Sequence, residues 1–412
     1  MTHDKPLPKP TVGDALILAL ASSVGPFSVN AYLPGLELMS RDFSTDLALM
    51  GQTLTAYLLG FALCSLFIGA ISDALGRRRV LLGGMLGFAA ASIAAMLTPS
   101  FGLLCAMRFI QGLTAGVGQV VTQAVVRDRF TGLSATKLNG MIAMIFSASP
   151  ALAPVIGGII VVHFGWQAVF VFLASYALVT FAAIWRFLPE SLPLERRQKL
   201  RPGPLFIGYA NALRNPAFMS GALANSFSFS GTLLYTAASA DFILRILKMA
   251  PDDFGYLSFP MVFSSIVGAS ACAAVVARIG GKKAITGVLG LMVATSLISS
   301  LVNYEMPLAY PFILIGPLLF SLGTHFCMPE MITMNLDYFP KTRGLSASVN
   351  QCLQSLGFAM TTAFIAPLVM GAMWRYSLAS AVVGLAALIA WRVALFFRPR
   401  ALSKAGVVEE HF

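Results

Sequence analysis

Charge is what this sequence has least of. Only 11% of its 412 residues are Asp, Glu, Lys or Arg, 17 of them acidic, against 57% hydrophobic. Soluble domains carry about twice that charged fraction, so the composition excludes a soluble multidomain protein and makes lipid the solvent of folding. Histidine is scarce as well: four residues, none spaced as ligands with one another, with cysteine or with acids, so neither a metal nor a cofactor is expected. The five cysteines (Cys64, Cys105, Cys272, Cys327, Cys352) are odd in number, scattered and set in apolar surroundings, which reads as packing rather than disulfides. No nucleophile constellation and no soluble domain appears, which disfavours a membrane enzyme or receptor. "MTHDKPLPKP" is polar and Pro-rich, and the apolar stretch behind it is too long for a signal core, so no removable leader is expected.

What is present is a succession of apolar runs, each near the roughly 20 residues that cross a bilayer. They predict twelve membrane helices, at 12–36, 46–71, 79–97, 101–125, 136–162, 165–188, 216–244, 252–277, 283–303, 308–334, 343–372 and 375–397. All but five of the 28 Lys and Arg residues fall on one side of such a bundle. The five are Arg41, Arg245, Lys248 and Arg375 on the other side and Arg108 inside a span. That bias places the basic side and both termini in the cytoplasm. It also accounts for most of the net charge of +11, which therefore reads as topology and anionic-lipid contact, with no nucleic acid as partner.

The charged, Pro-rich stretch 189–215 is too short for a domain and divides the chain into a first six-helix half, 1–188, and a second, 216–412. The halves echo each other: "GAISDALGRRRVLLG" after span 2 and "ASACAAVVARIGGKKAITG" after span 8 share position and order of glycine, basic and apolar residues. The expected class is an all-α membrane protein of two pseudo-symmetric halves enclosing a cavity, an architecture of transporters.

"GAISDALGRRRVLLGG" resembles the cytoplasmic loop signature of the major facilitator superfamily, G-x-x-x-D-x-x-G-R-[RK]-x, with Gly69, Asp73, Gly76, Arg77 and Arg78 in its positions. Its local chemistry is a tight turn at Gly76, an Asp73 able to face a helix N-terminus, and arginines able to pair with acids at neighbouring helix ends, Asp128 of "VVRDRF" being one. In span 5, "SASPALAPVIGG" with Pro150, Pro154, Gly157 and Gly158 is similar to the motif of drug:proton antiporters, especially the bicyclomycin and chloramphenicol multidrug efflux branch (Bcr/CflA). Its prolines kink a helix and its paired glycines let helices approach closely. "AYLPGLELMSRDF" with Tyr32 in span 1, "MRFIQGLTAGVGQVV" in span 4 and "HFGWQAVF" opening span 6 extend the resemblance, strongly in the first half and loosely in the second.

In span 4, Gln111, Gln119 and Thr122 lie within roughly 60° of Arg108, a polar stripe expected to face a water-filled cavity. The other reading is an arginine snorkelling outward. The resemblance implies for Arg108 a role in proton coupling. It also implies an acid just before "YLP" in span 1, and here this sequence departs: Asn30 occupies that place, able to hydrogen-bond a substrate but not to carry a proton. Glu37, near the outer surface, Asp241 and Glu330 are the acids left to do so. Asp241 has Arg245 one turn on, giving a local ion pair as the competing reading. Glu330 has no basic residue three or four positions away and shares its helix face with Thr333 and Asp337, so it either snorkels or faces the cavity as the titrating carboxylate.

These readings point to a secondary transporter in the bacterial inner membrane, a monomer with no enzymatic activity. It would export small amphipathic or cationic drugs by alternating access in exchange for protons. A major facilitator exporter of a specific metabolite (metallophore, nucleoside or sugar), with or without proton coupling, is the alternative.

Overall fold

The computed structural model describes residues 11–130, 132–197, 202–306, 309–340 and 342–405. Lys5, Lys9, Lys199, Arg201 and Lys341, counted above toward the basic side, lie outside them. Among the described residues every regular element is helical, as lipid demands of backbone groups that must find partners within their own segment.

Twelve helices of membrane length follow the apolar runs: α1 Val12–Asn30, α2 Gln52–Leu75, α3 Arg77–Met96, α4 Phe101–Arg129, α5 Gly132–Phe164, α6 Trp166–Phe187, α7 Pro216–Ala240, α8 Gly255–Ile279, α9 Gly281–Glu305, α10 Ile315–Leu336, α11 Arg343–Met360 and α12 Met373–Ala405. Eleven of these segments are apolar enough to cross a membrane on composition alone. The exception is α7, rich in Ser, Thr and Asn; most of its residues are buried, because it packs between α10, α11 and α12 instead of facing lipid.

The internal repeat extends to the backbone. Gly76 ends α2 at φ +99°, ψ 144°, and Gly280 ends α8 at φ +80°, ψ 144°; in each case the next helix starts at once. Only glycine adopts that conformation without strain. The linker differs from the expected plain connection, since it holds a helix, Pro202–Leu213. Tyr209 of that helix donates a hydrogen bond to the Leu66 carbonyl of α2 and meets Phe67 edge-on, while Gly208 lies against Leu345 of α11. The linker helix thus touches both halves.

The end of the bundle without the basic loops is where the halves close on each other. Gly158 of α5 packs against the Pro251 carbonyl oxygen ahead of α8, Gly255 against Val155, and Gln52 Nε2 donates to the Ala363 carbonyl at 3.2 Å. Toward the basic end α5 stands clear: Gly140, Met141, Ala143 and Met144 are exposed, whereas Ser149 to Gly158 is buried or half-buried except at Leu152. The bundle is sealed at the end away from the basic loops.

Candidate functional site

Arg108 is completely buried, in the first half of α4. Its Nη1 donates to Ser28 Oγ at 3.0 Å and to Gln111 Oε1 at 2.8 Å, and its Nη2 to the Ser28 carbonyl at 3.2 Å. The guanidinium lies 4.1 Å from the Tyr32 ring centroid and 4.6 Å from that of Tyr57. Gln111 continues the chain by donating to Ser92 Oγ at 2.7 Å. Arg108 and Gln111 together therefore tie α1, α2, α3 and α4 to one another. No carboxylate among the described residues lies within ion-pair distance of it. Two aromatic faces and three acceptors replace a counter-ion, an arrangement a desolvated guanidinium tolerates because ring quadrupoles attract it more strongly away from water.

This corrects the expectation of a stripe facing water. Arg108, Gln111 and Thr122 point into helix contacts, Thr122 donating to the Leu18 carbonyl at 3.3 Å, and only Gln119 is partly exposed. Tyr32 is likewise packed away, one face on Arg108. Snorkelling is equally excluded by the burial. The partners Ser28, Tyr57 and Ser92 carry no sequence signal, because they sit on three other helices.

The cleft itself lies between α1, α5, α7 and α8. Asn30, Pro150, Pro154, Tyr235, Ser239 and Met261 are among its lining residues, and among the described residues no charged side chain lines it. Asn30 Nδ2 donates to the Pro26 carbonyl at 2.8 Å, which leaves its amide oxygen as the group available to a ligand. Pro150 and Pro154 free backbone carbonyls on the α5 wall. Gly157 sits against the Ala31 carbonyl oxygen with no room for a Cβ, bringing α5 onto the end of α1 beside Asn30.

At the basic end a second constellation forms. Arg77, 7% exposed, pairs with Asp73, with Asp128 at 3.0 Å, and donates to Ser72 Oγ at 2.6 Å. Arg78 donates to the Trp185 carbonyl at the end of α6. Gly69 has open space about it. Asp73 does not face the α3 N-terminus. Glu190, just past α6, does: its Oε1 accepts from the amides of Arg77 at 2.9 Å and Leu192 at 3.1 Å, and its Oε2 faces Arg197 at 3.6 Å. A carboxylate there meets the unpaired amides and the positive end of the helix dipole. Sequence reading passed over Glu190 because it opens a linker taken as connection only. Glu190→Ala should lower stability by about 1 kcal/mol, the worth of a helix cap, and slow transport several-fold, with Glu190→Gln intermediate. Thermal unfolding and flux of the purified variants test this; two unchanged values would reduce Glu190 to a bystander.

The remaining acids fall elsewhere than expected. Glu330 does not reach the cleft: its carboxylate lies against Gly281, the first residue of α9, beside Cys272 of α8. Asp337, thought to share its face, lies 3.6 Å from Arg343 and 4.0 Å from Arg398, and Thr333 bonds back to the Pro329 carbonyl. Glu37 pairs with Arg41 at 2.8 Å. Asp241 is 3% exposed, and its contact with Arg245 is long, 3.9 Å; its closer partner is the Gly371 amide at 2.7 Å.

With this geometry in view, comparison with known proteins settles the family. The sequence pattern of the Major Facilitator Superfamily matches residues 18–316. The chain belongs to this superfamily. Its fold and its membership make it a multi-pass membrane transporter and not an enzyme. It is 28% identical over 267 residues to a bicyclomycin resistance protein homolog of Haemophilus influenzae, covering 65% of this chain and 67% of that one. It is 27% identical over 312 residues to the multidrug transporter MdfA of Yersinia pestis (strain Angola), covering 74% of each. Among solved structures, that of a D-xylose-proton symporter superposes with a TM-score of 0.72 at 15% identity, over 90% of this chain and 96% of that one, and shares the fold.

Proposed function

We propose that this transporter exports small amphipathic compounds, antimicrobials among them, across a bacterial inner membrane in exchange for protons. The observation that carries the substrate class is the cleft between α1, α5, α7 and α8: amide, hydroxyl, thioether and aromatic groups line it, and no carboxylate does. Such a lining suits neutral amphipaths, whose polar atoms need a few hydrogen bonds and whose carbon surface needs apolar contact. It gives a cation no carboxylate, so neutral drugs are favoured over cationic ones. The names of the bicyclomycin resistance homolog and of MdfA support drugs over sugars.

The basic end is taken as cytoplasmic, on the distribution of Lys and Arg. The sealed end then faces outward, and the cleft loads from the cytoplasm and empties outward when the halves rock about it, one monomer carrying out the cycle. A narrow metabolite carrier is the competing reading, and tolerance assays separate the two. Expressed in an efflux-deficient bacterium, the protein should raise tolerance to chloramphenicol and bicyclomycin several-fold and tolerance to the cation ethidium little. Tolerance to ethidium alone would overturn the neutral preference, and tolerance to none across a broad panel would favour a metabolite carrier.

A further inference from the structure

We propose that Asp241 is the proton-binding carboxylate of this transporter, held in an aromatic chamber at the sealed end and linked to the substrate cleft through Tyr235. The inference rests on the proton-coupled reading above and deepens it, because Asn30 leaves the place before "YLP" without an acid.

Among the described residues Asp241 is the only Asp or Glu that is buried. Its charge is met sparingly: one hydrogen bond from the Gly371 amide, at the turn between α11 and α12, and a guanidinium 3.9 Å away whose side chain is half exposed. Beside it is a small chamber lined among others by Tyr235, Phe242, Met373 and Tyr376. The hydroxyls of Tyr235 and Tyr376 are buried there without a hydrogen-bond partner, and the two rings meet edge-on at 6.0 Å. Two phenols lacking partners beside a buried carboxylate are suited to hold a water, or to bond the carboxylic acid once it is neutral.

Tyr235 also lines the cleft that contains Asn30. One ring is therefore wall to both spaces, so a molecule filling the cleft presses on a residue that borders the acid. The backbone here is adapted to move: α7 passes into a π-helical stretch at Asp241–Ile246, and α11 into another at Thr361–Ile365 packed against α7. Such wide turns let a helix change register locally.

Proton binding has a simple balance. A hydronium ion delivers the proton: one of its O–H bonds breaks, one O–H bond forms on the Asp241 carboxylate, and a water molecule is left. The neutral acid accepts more weakly from the Gly371 amide and no longer attracts Arg245, so the contact of α7 with the α11–α12 turn loosens and the sealed end opens. The other titratable and charged groups around the site are Tyr235 and Tyr376 in the chamber, Tyr310 near Tyr235, Asp252 and Asp253 on the turn packed against Asp241–Ile246, and Arg375, which stacks on Trp374. None of them supplies a second buried carboxylate.

The test uses the full-length protein in proteoliposomes with labelled chloramphenicol. Wild type should concentrate it in response to an imposed pH gradient; Asp241→Asn should lose that response by about tenfold or more while retaining exchange of chloramphenicol at equal pH, since only the proton-linked step is removed. An Asp241→Asn protein that follows the gradient as wild type does overturns this inference alone. A wild type indifferent to the gradient overturns proton coupling and this inference together. Infrared difference spectra between high and low pH give a readout independent of substrate. Wild type should show the carbonyl band of a buried carboxylic acid, absent in Asp241→Asn and displaced in Asp241→Glu. Should Asp241→Asn fail to fold, a band of identical position in wild type and Asp241→Glu overturns the assignment.

Discussion

Arg108→Ala should reduce transport to background in a protein that still inserts and can be purified. The truncation removes three hydrogen bonds and two ring contacts at once and leaves the Ser28 carbonyl and the Gln111 amide oxygen buried without donors. Each acceptor left so costs about 1–3 kcal/mol, and a desolvated cation–π contact is worth about 2 kcal/mol. The damage reaches function because Ser28 lies two residues before Asn30: freeing α1 from Arg108 lets the wall of the cleft drift. Arg108→Lys should restore a small part of the flux, since an ammonium keeps the charge between Tyr32 and Tyr57 but cannot span Ser28 and Gln111 with a rigid fork. Flux in proteoliposomes, read beside thermal unfolding, tests the claim; near-normal flux in Arg108→Ala would show that the node serves assembly alone.

The helices were legible in the sequence because they depend on hydropathy along one segment, but not all of their ends were, since α12 runs on to Ala405 rather than stopping at 397. Legible too was the turn at Gly76, whose echo at Gly280 shares its backbone conformation. The site was harder, and the errors have one cause. Arg108 was expected on a stripe facing water, and a helical wheel cannot show that the space the stripe faces is filled by α1 and α2. Glu330 looked unpaired when only its own helix was counted, whereas Gly281 and Cys272 from α9 and α8 occupy its surroundings. Asp241 was judged by Arg245 one turn on, yet its closer partner, the Gly371 amide, is 130 residues away. Periodicity reports what a helix offers, and only packing decides what accepts it.

Gly158→Val should shift the transporter toward the state with its now-sealed end open and cut transport about tenfold or more, with the fold retained. The expectation comes from two adjacent glycines with different partners. A Cβ on Gly157 would overlap the Ala31 carbonyl oxygen, inside the first half; a Cβ on Gly158 would overlap the Pro251 carbonyl oxygen, across the boundary between halves. Backbone atoms cannot swing aside as a flexible side chain does, and forcing extra carbon into such a contact costs about 1–3 kcal/mol. At Gly157 that cost falls on the packing of α5 against α1, so Gly157→Val should lower thermal stability. At Gly158 it falls only on the closed arrangement, because each half can keep its internal packing while the halves part. A conformational equilibrium shifts about tenfold for each 1.4 kcal/mol, so this one contact is enough to change which state dominates. Distances between spin labels placed across that end should lengthen in Gly158→Val, and in Gly158→Ser as well, since any Cβ there meets the same carbonyl oxygen. Wild-type distances together with wild-type flux in Gly158→Val would mean that Gly255 against Val155, and Gln52 with the Ala363 carbonyl, hold the end closed without it.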